Sequence, residues 1–221
     1  MRSTLGLCFA CVLAFPVVVS AVGCASAKIA ISERFGYAKR EQLVDTVQEA
    51  RDEQEEAKEQ FDSALEAFAA VTQFDGGNLE SLYSKLNREL KRSESRASDV
   101  YGRIDAVKAV GESLFREWEK ELDQYASADL RAASEQSFRK TRLRYNELVA
   151  AMERAASKMQ PVLTAFKDQV LFLKHNLNAR AIASLETSLD SLSSDVEALI
   201  AEMEASIAEA NAFIAEMDAN G

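Results

Sequence analysis

The stretch from Leu185 to Met217, LETSLDSLSSDVEALIAEMEASIAEANAFIAEM, places its apolar residues at alternating steps of four and three. Nine of the ten positions in this repeat are apolar, and Ser206 is the exception. A strand would alternate every second residue, which this stretch does not do. Because the spacing is sustained over more than four heptads, it predicts a helix that packs as in a left-handed coiled coil.

The same spacing occurs near the other end of the chain, from Leu43 to Val71. Eight of its nine stripe positions are apolar, and Gln54 is the exception. Two long helices with apolar stripes need partners that cover those stripes, so the sequence indicates a helical bundle.

Three short segments interrupt the helical pattern: FDGGN (residues 74–78), YASAD (residues 125–129) and HNLN (residues 175–178). Each provides a residue that can cap the helix after it, namely Asn78, Ser127 and Asn178. The sequence therefore predicts four helices, near residues 38–73, 79–125, 128–175 and 179–218. Short connections make neighbouring helices antiparallel, so the expected fold is all-α, an elongated antiparallel four-helix bundle or coiled coil.

Two residues disturb the predicted helices. Gly111 falls on the apolar seam of the second helix, and Pro161 lies inside the third. Glycine lets a neighbouring side chain come close, whereas proline removes a backbone donor and should kink the helix. We interpret both as packing adjustments, with a hinge as the alternative.

The first residues are typical of a secretory signal peptide, with Arg2 followed by an apolar run from Leu5 to Val19. The residues Ala21-Val22-Gly23-Cys24 resemble a bacterial lipobox, although Ala21 stands where Leu is preferred. This interpretation divides the chain into a signal peptide (1–23), a lipidated N-terminus and tether (24–37) and a bundle (38–218). Palmitate and related acyl chains on Cys24 would attach the protein to a membrane.

A second cleavage site competes with the lipobox. Ala25-Ser26-Ala27 has the A-x-A form of an ordinary signal-peptidase site, and the mature chain would then begin at Lys28 without lipid. We favour Cys24, because acylation would consume a thiol that is otherwise unpaired after export.

The net charge limits the partners. The chain carries a formal charge of −10, and removal of residues 1–23 takes away only Arg2 and leaves −11. An acidic surface repels nucleic acid and anionic headgroups, so we expect no nucleic-acid partner and a membrane attachment that depends on the lipid anchor.

The sequence offers no recognisable catalytic or cofactor motif. His175 is the only histidine, so multi-histidine metal motifs cannot form, and the sequence contains no Cys-x-x-Cys-His haem attachment. A phosphate-binding Gly-Lys-Ser/Thr loop is also missing. We therefore expect neither an enzyme nor a metal or other cofactor.

The segment FKDQVLFLKHNLNARAIASL (residues 166–185) is apolar on more than one face. A wide apolar face is usually buried on several sides, which favours a central contact of the bundle. The alternative is a partner-docking surface, for which the candidate residues are Val170, Phe172, Leu173, His175 and Asn178.

Other binding modes remain open. A cavity inside the bundle could hold a small molecule, with Trp118, Tyr125, Tyr145 and Phe166 as its candidate lining. Self-association could use Ile200, Ile207 and Ile214, which are spaced by seven. A basic stretch, Arg131 to Arg144, is expected to complement the acidic first helix rather than to bind an anionic partner.

The segments 39–68, 74–87, 161–185 and 202–217 together resemble an uncharacterised family of Gram-negative lipoproteins known only as a domain of unknown function. The resemblance implies an exported helical protein and assigns no catalytic residue. Ala25 stands where inner-membrane lipoproteins carry Asp, so we expect the periplasmic face of the outer membrane. The expected function is a non-enzymatic scaffold or interaction module whose partner is an unidentified envelope protein.

Overall fold

A computed structural model describes residues 24–73, 76, 78–176 and 179–219, with the backbone alone for residues 24–37 and 179–181. It contains four helices, α1 (Cys24–Thr72), α2 (Leu79–Leu122), α3 (Ala128–His175) and α4 (Ala179–Ala219). No strand occurs in the described residues. The prediction of an all-α four-helix bundle is confirmed.

The chain divides into two units, Met1–Arg34 and Phe35–Gly221. Of the first unit the structure describes the helical backbone from Cys24 onwards, so the signal peptide predicted at 1–23 lies outside the described residues. The predicted start of the first helix at residue 38 is wrong, since α1 begins at Cys24. The tether segment contains Gly36 as its only breaker and several alanines, a composition that supports helix.

Two of the three predicted caps are confirmed. The side chain of Asn78 accepts hydrogen bonds from the backbone N–H groups of Glu80 (3.0 Å) and Ser81 (3.2 Å) at the start of α2. Ser127 accepts one from Leu130 N–H at 3.4 Å at the start of α3. Asn178 lies outside the described residues. α2 ends at Leu122, three residues before its predicted end.

Polar contacts between helices show the antiparallel order within the second unit. Along α1 the partners on α2 run backwards, from Lys39–Glu117 to Gln60–Glu89. Three other helix pairs show the same antiparallel order. Between α1 and α4 the contacts are Arg51–Asn211 and Lys58–Glu204. Between α2 and α3 they are Trp118–Ser134 and Lys108–Glu153, and between α3 and α4 they are Lys140–Glu216 and Arg154–Glu202. α1 and α3 are therefore diagonal partners, and their contact through the core is the pair Phe68–Phe166, with ring centroids 5.8 Å apart.

The predicted stripes form the core. All nine stripe residues of α1 are buried, and so are nine of the ten on α4; Leu189 is half-buried and packs against the rest. The three-four spacing therefore identified the buried face of both helices.

The two polar exceptions in these stripes are buried as well. Gln54 and Ser206 are both 0 % exposed, and neither side chain has a hydrogen-bond partner among the described residues. The contacts Arg51–Asn211 and Lys58–Glu204 bracket the two residues, so Gln54 and Ser206 lie in the same section of the bundle. A buried polar group without a partner costs about 1–3 kcal/mol.

Gly111 allows the close approach predicted for it. A Cβ atom at this position would lie 2.6 Å from Tyr145 Oη and closer still to the ring carbons Cε2 and Cζ. Tyr145 Oη donates to the carbonyl of Lys108 at 3.3 Å, so the end of the Tyr145 side chain is held against the α2 backbone beside Gly111. Pro161 is exposed, and α3 continues as helix on both sides of it.

Candidate functional site

Four aromatic rings form a continuous row between the C-terminal part of α2 and the N-terminal part of α3. Tyr145 contacts Phe115 at 5.1 Å between ring centroids, Phe115 contacts Phe138 at 5.8 Å, and Phe138 contacts Trp118 at 5.6 Å. We call this row the aromatic ladder. Its edge-to-face geometry is the one that favourable aromatic pairs adopt, so the ladder gives this end of the bundle a rigid wall.

Two arginines lie over the ladder. The guanidinium carbon of Arg142 is 5.5 Å from the Phe115 centroid, and that of Arg40 is 5.3 Å from the Trp118 centroid. The Trp118 indole N–H donates to Ser134 Oγ at 2.9 Å, which fixes the plane of the indole. Arg40 is therefore held over an oriented aromatic face.

A cleft of about 260 Å³ opens beside Trp118, with all four helices contributing to it. Its lining is mixed: apolar side chains (Trp118, Phe213, Met217), hydroxyls (Ser134, Ser137, Thr141), three cations (Arg40, Lys140, Arg144) and one carboxylate (Glu216). Small-molecule sites combine an apolar wall with a few convergent polar groups in this way.

The cations on the α3 side of the cleft are neutralised by carboxylates. Lys140 Nζ lies 2.8 Å from Glu216, and Arg144 lies 3.2 Å from Glu216 and 3.1 Å from Glu209. The hydrogen bond from Lys140, aided by Arg144, holds the pKa of Glu216 below its usual value against the opposing effect of burial. Glu216 is therefore ionised at neutral pH.

Arg40 differs from these two cations. Within the described part of the chain it forms no ion pair, and its Nε is buried without a hydrogen-bond partner. A buried guanidinium nitrogen without an acceptor is costly. The cleft thus contains one cation whose pairing capacity is unused.

Of the four residues considered as cavity lining, only Trp118 borders this cleft. Trp118 is half-buried and lines the cleft. Tyr125 is 42 % exposed beyond the end of α2, and Tyr145 is buried against Gly111. Phe166 lies in the core beside a void of only about 10 Å³, which is the size of one water molecule.

The sequence did not single out Arg40 or Glu216 as site residues. The cleft forms where four helices meet, and its residues are separated by up to 177 positions, from Arg40 to Met217. The predicted antiparallel order could have placed these residues together, because it puts residue 40 next to the C-terminal ends of α2 and α4 and the start of α3.

The candidate docking residues divide into buried and exposed groups. Val170 (4 % exposed) and Leu173 (0 % exposed) lie in the core and cannot contact a partner, because they continue the seam that contains Phe166. Phe172 (40 % exposed) and its neighbour Leu171 (52 % exposed) face outward, as does His175. Asn178 lies outside the described residues.

The side-chain placement also bears on the basic stretch of α3 and on the isoleucines considered for self-association. Lys140 and Arg144 of the basic stretch pair with Glu209 and Glu216 of α4. Among the described residues no ion pair joins this stretch to the acidic face of α1, so the expected complement was wrong. Of the isoleucines considered for self-association, Ile214 is 8 % exposed and belongs to the core, whereas Ile200 and Ile207 are half-buried.

In the residues that the structure describes, no group of three or more His, Cys, Asp or Glu side chains could hold a metal ion. Among the described helices, none is long and apolar enough to cross a membrane.

A protein-family model described as "Protein of unknown function (DUF2959)" matches residues 29–217. No curated protein matches the chain, and no solved structure does.

Proposed function

The chain belongs to this family of proteins of unknown function, and on that premise we propose that it is a lipid-anchored, non-enzymatic interaction module of the cell envelope. In this proposal Cys24 carries the anchor at the periplasmic face of the outer membrane, and the helical bundle binds an envelope protein. The family match begins at residue 29, after both candidate cleavage sites, so it covers the bundle and part of the proposed tether but not the proposed signal peptide.

The observation that carries the interaction role is the exposed apolar pair Leu171–Phe172 near the end of α3. The residues on either side of this pair, Val170 and Leu173, are buried, so packing fixes the backbone that presents it. Exposed apolar side chains on a rigid element supply the anchors that protein partners bury. His175 follows one turn later and is also exposed.

The interaction role is tested by photocrosslinking in intact cells. A photoreactive amino acid replaces Phe172, and the matched control replaces Leu143, which is on the same helix and 59 % exposed. We expect a discrete adduct with an envelope protein from position 172 and none from position 143. Equal labelling from the two positions would contradict a docking surface at the end of α3.

The anchor is tested by replacement of Cys24 with Ser, followed by cell fractionation. We expect the variant to leave the membrane fraction, because an acidic bundle has no electrostatic affinity for anionic headgroups. A variant that remains membrane-bound through a high-salt wash would contradict the lipid anchor.

The cleft beside Trp118 favours a second candidate function, the binding of a small molecule by the bundle. Its volume of about 260 Å³ lies just below the usual range for drug-sized ligands, about 300–1,000 Å³, so the cleft suits a small metabolite. This function does not require the anchor and can coexist with it.

A further inference from the structure

We infer that the cleft beside Trp118 binds a small organic anion, with an oxyanion group on Arg40 and a short apolar body against Trp118 and Phe213. This inference rests on the second candidate function, ligand binding by the bundle. It adds the chemical class of the ligand and the role of each wall of the cleft.

The ion pairs of the lining residues indicate that the ligand is negatively charged. Three cations and one carboxylate line the cleft, and a second carboxylate, Glu209, pairs with Arg144, so one positive charge remains in a chain whose formal net charge is −10. A locally positive concavity in an acidic protein attracts anions and repels cations. Lys140 and Arg144 are already paired with carboxylates, so Arg40 is the cation with capacity for a ligand.

The geometry at Arg40 suits a carboxylate or phosphate oxygen. The guanidinium carbon is 5.3 Å from the Trp118 centroid, and stacking of this kind leaves the in-plane N–H groups able to donate. Among the described residues the guanidinium of Arg40 has no acceptor, and the residue lines the cleft, so its terminal N–H groups could donate to an oxyanion bound there. Charge-assisted bonds of this type are about twice as strong as neutral ones.

The remaining walls determine the rest of the ligand. Phe213 and Met217 are 1 % and 8 % exposed, so they belong to the packed core and give the cleft a rigid apolar side. The hydroxyls of Ser137 and Thr141 lie on the α3 side. An ion without an apolar body would leave the apolar wall in contact with water, so we expect it to bind weakly.

Trp118 is the only tryptophan of the chain and lines the cleft, so tryptophan fluorescence reports on binding there. The experiment titrates the full chain, reconstituted in phosphatidylcholine vesicles, while Trp118 fluorescence and the heat of binding are recorded. The probes share one apolar body and differ in the head group: 3-phenylpropionate, 3-phenylpropanol and 3-phenylpropylamine, with inorganic phosphate as the ion without a body. We expect saturable binding of 3-phenylpropionate and at least tenfold weaker binding of the other three.

Three variants test whether 3-phenylpropionate binds in the cleft. Arg40→Gln should weaken 3-phenylpropionate binding by about 10- to 100-fold, the range expected for loss of a charge-assisted hydrogen bond. Arg51→Gln makes the same charge change on the same helix, at a residue that pairs with Asp52 and Asn211, and should leave binding unchanged. Glu216→Gln removes the one lining carboxylate and should tighten binding, a gain that a damaged fold would not produce.

The outcomes distinguish a failure of the inferred anion from a failure of ligand binding by the cleft. If the alcohol or the amine binds as well as the carboxylate, the cleft binds ligands but the inferred anion is wrong. If inorganic phosphate binds as tightly, the apolar wall plays no part and the inference is also wrong. If no probe produces heat or a fluorescence change, ligand binding by the cleft is overturned together with the inference.

Discussion

Replacement of Gly111 by Ala tests whether the α2–α3 interface packs as described. The new methyl group would overlap the Tyr145 ring, whose Oη would be 2.6 Å away. Overpacking costs about 1–3 kcal/mol, and loss of the 3.3 Å bond from Tyr145 Oη to Lys108 O costs about 0.5–1.5 kcal/mol more. Alanine regains about 1 kcal/mol of helix propensity. The net expected loss of unfolding free energy is therefore about 0.5–3.5 kcal/mol.

The matched control is Gly102→Ala on the same helix. A Cβ at residue 102 would meet nothing within 4 Å, so only the propensity gain remains and the variant should be more stable by about 1 kcal/mol. The assay is urea unfolding followed by circular dichroism, with the slope m compared between variants to confirm that the same surface is exposed.

A double-mutant cycle identifies the cause. In a Tyr145→Leu background the clash is relieved, so Gly111→Ala should cost much less than it does alone. Two results would refute the reasoning: a gain for Gly111→Ala equal to that for Gly102→Ala, or an unchanged loss when Tyr145 is absent.

Three further predictions concern the core, the ladder and a helix cap. Gln54→Met replaces a buried, unpartnered amide by an apolar side chain of similar length, and urea unfolding should show a gain of about 1–3 kcal/mol; a loss would mean that the amide is satisfied. Burial, with the charge of Glu112 as a smaller cause, raises the pKa of Tyr145 to about 12, so its tyrosinate absorbance should develop last and Tyr145→Phe should abolish that phase. Because the folded pKa lies above the unfolded value of about 10, the Tyr145 contribution to stability should be complete below pH ~10 and disappear as the pH rises towards about 12; a Tyr145→Phe variant with an unchanged stability profile in this range would contradict it. Asn78→Ala removes the acceptor for two backbone N–H groups and should cost about 1 kcal/mol in thermal unfolding, whereas no change would show that water replaces the cap.

The buried face of the bundle could be predicted because it depends on local spacing. Leu43 to Val71 and Leu185 to Met217 repeat every three or four residues, and these positions are buried in the structure. Even the exceptions were informative. Gln54 and Ser206 break the apolar pattern without leaving the core, since the helix period determines which side faces inward regardless of residue type.

Features that depend on the exact register and rotation of the helices relative to one another could not be predicted. The cleft needs the register of four helices at once, and a one-turn slip of α1 would move Arg40 away from Trp118. Val170 and Phe172 show the same limit within one segment. Both are apolar and close in sequence, but only the direction of α3 relative to its neighbours makes one buried and the other exposed.

The start of α1 was missed for a different reason. Residues 24–37 have no clear apolar stripe, so periodicity gave no evidence for helix there. The composition does favour helix, with alanines and no proline, and the described backbone is helical from Cys24.

The most direct test of an envelope-anchored bundle is the mass of the N-terminal peptide of the protein isolated from cell membranes. We predict a peptide that begins at Cys24 and carries the added mass of a diacylglyceryl group on the thiol. An unmodified peptide that begins at Lys28 would contradict the account, because the protein would then have no lipid with which to stay at the membrane.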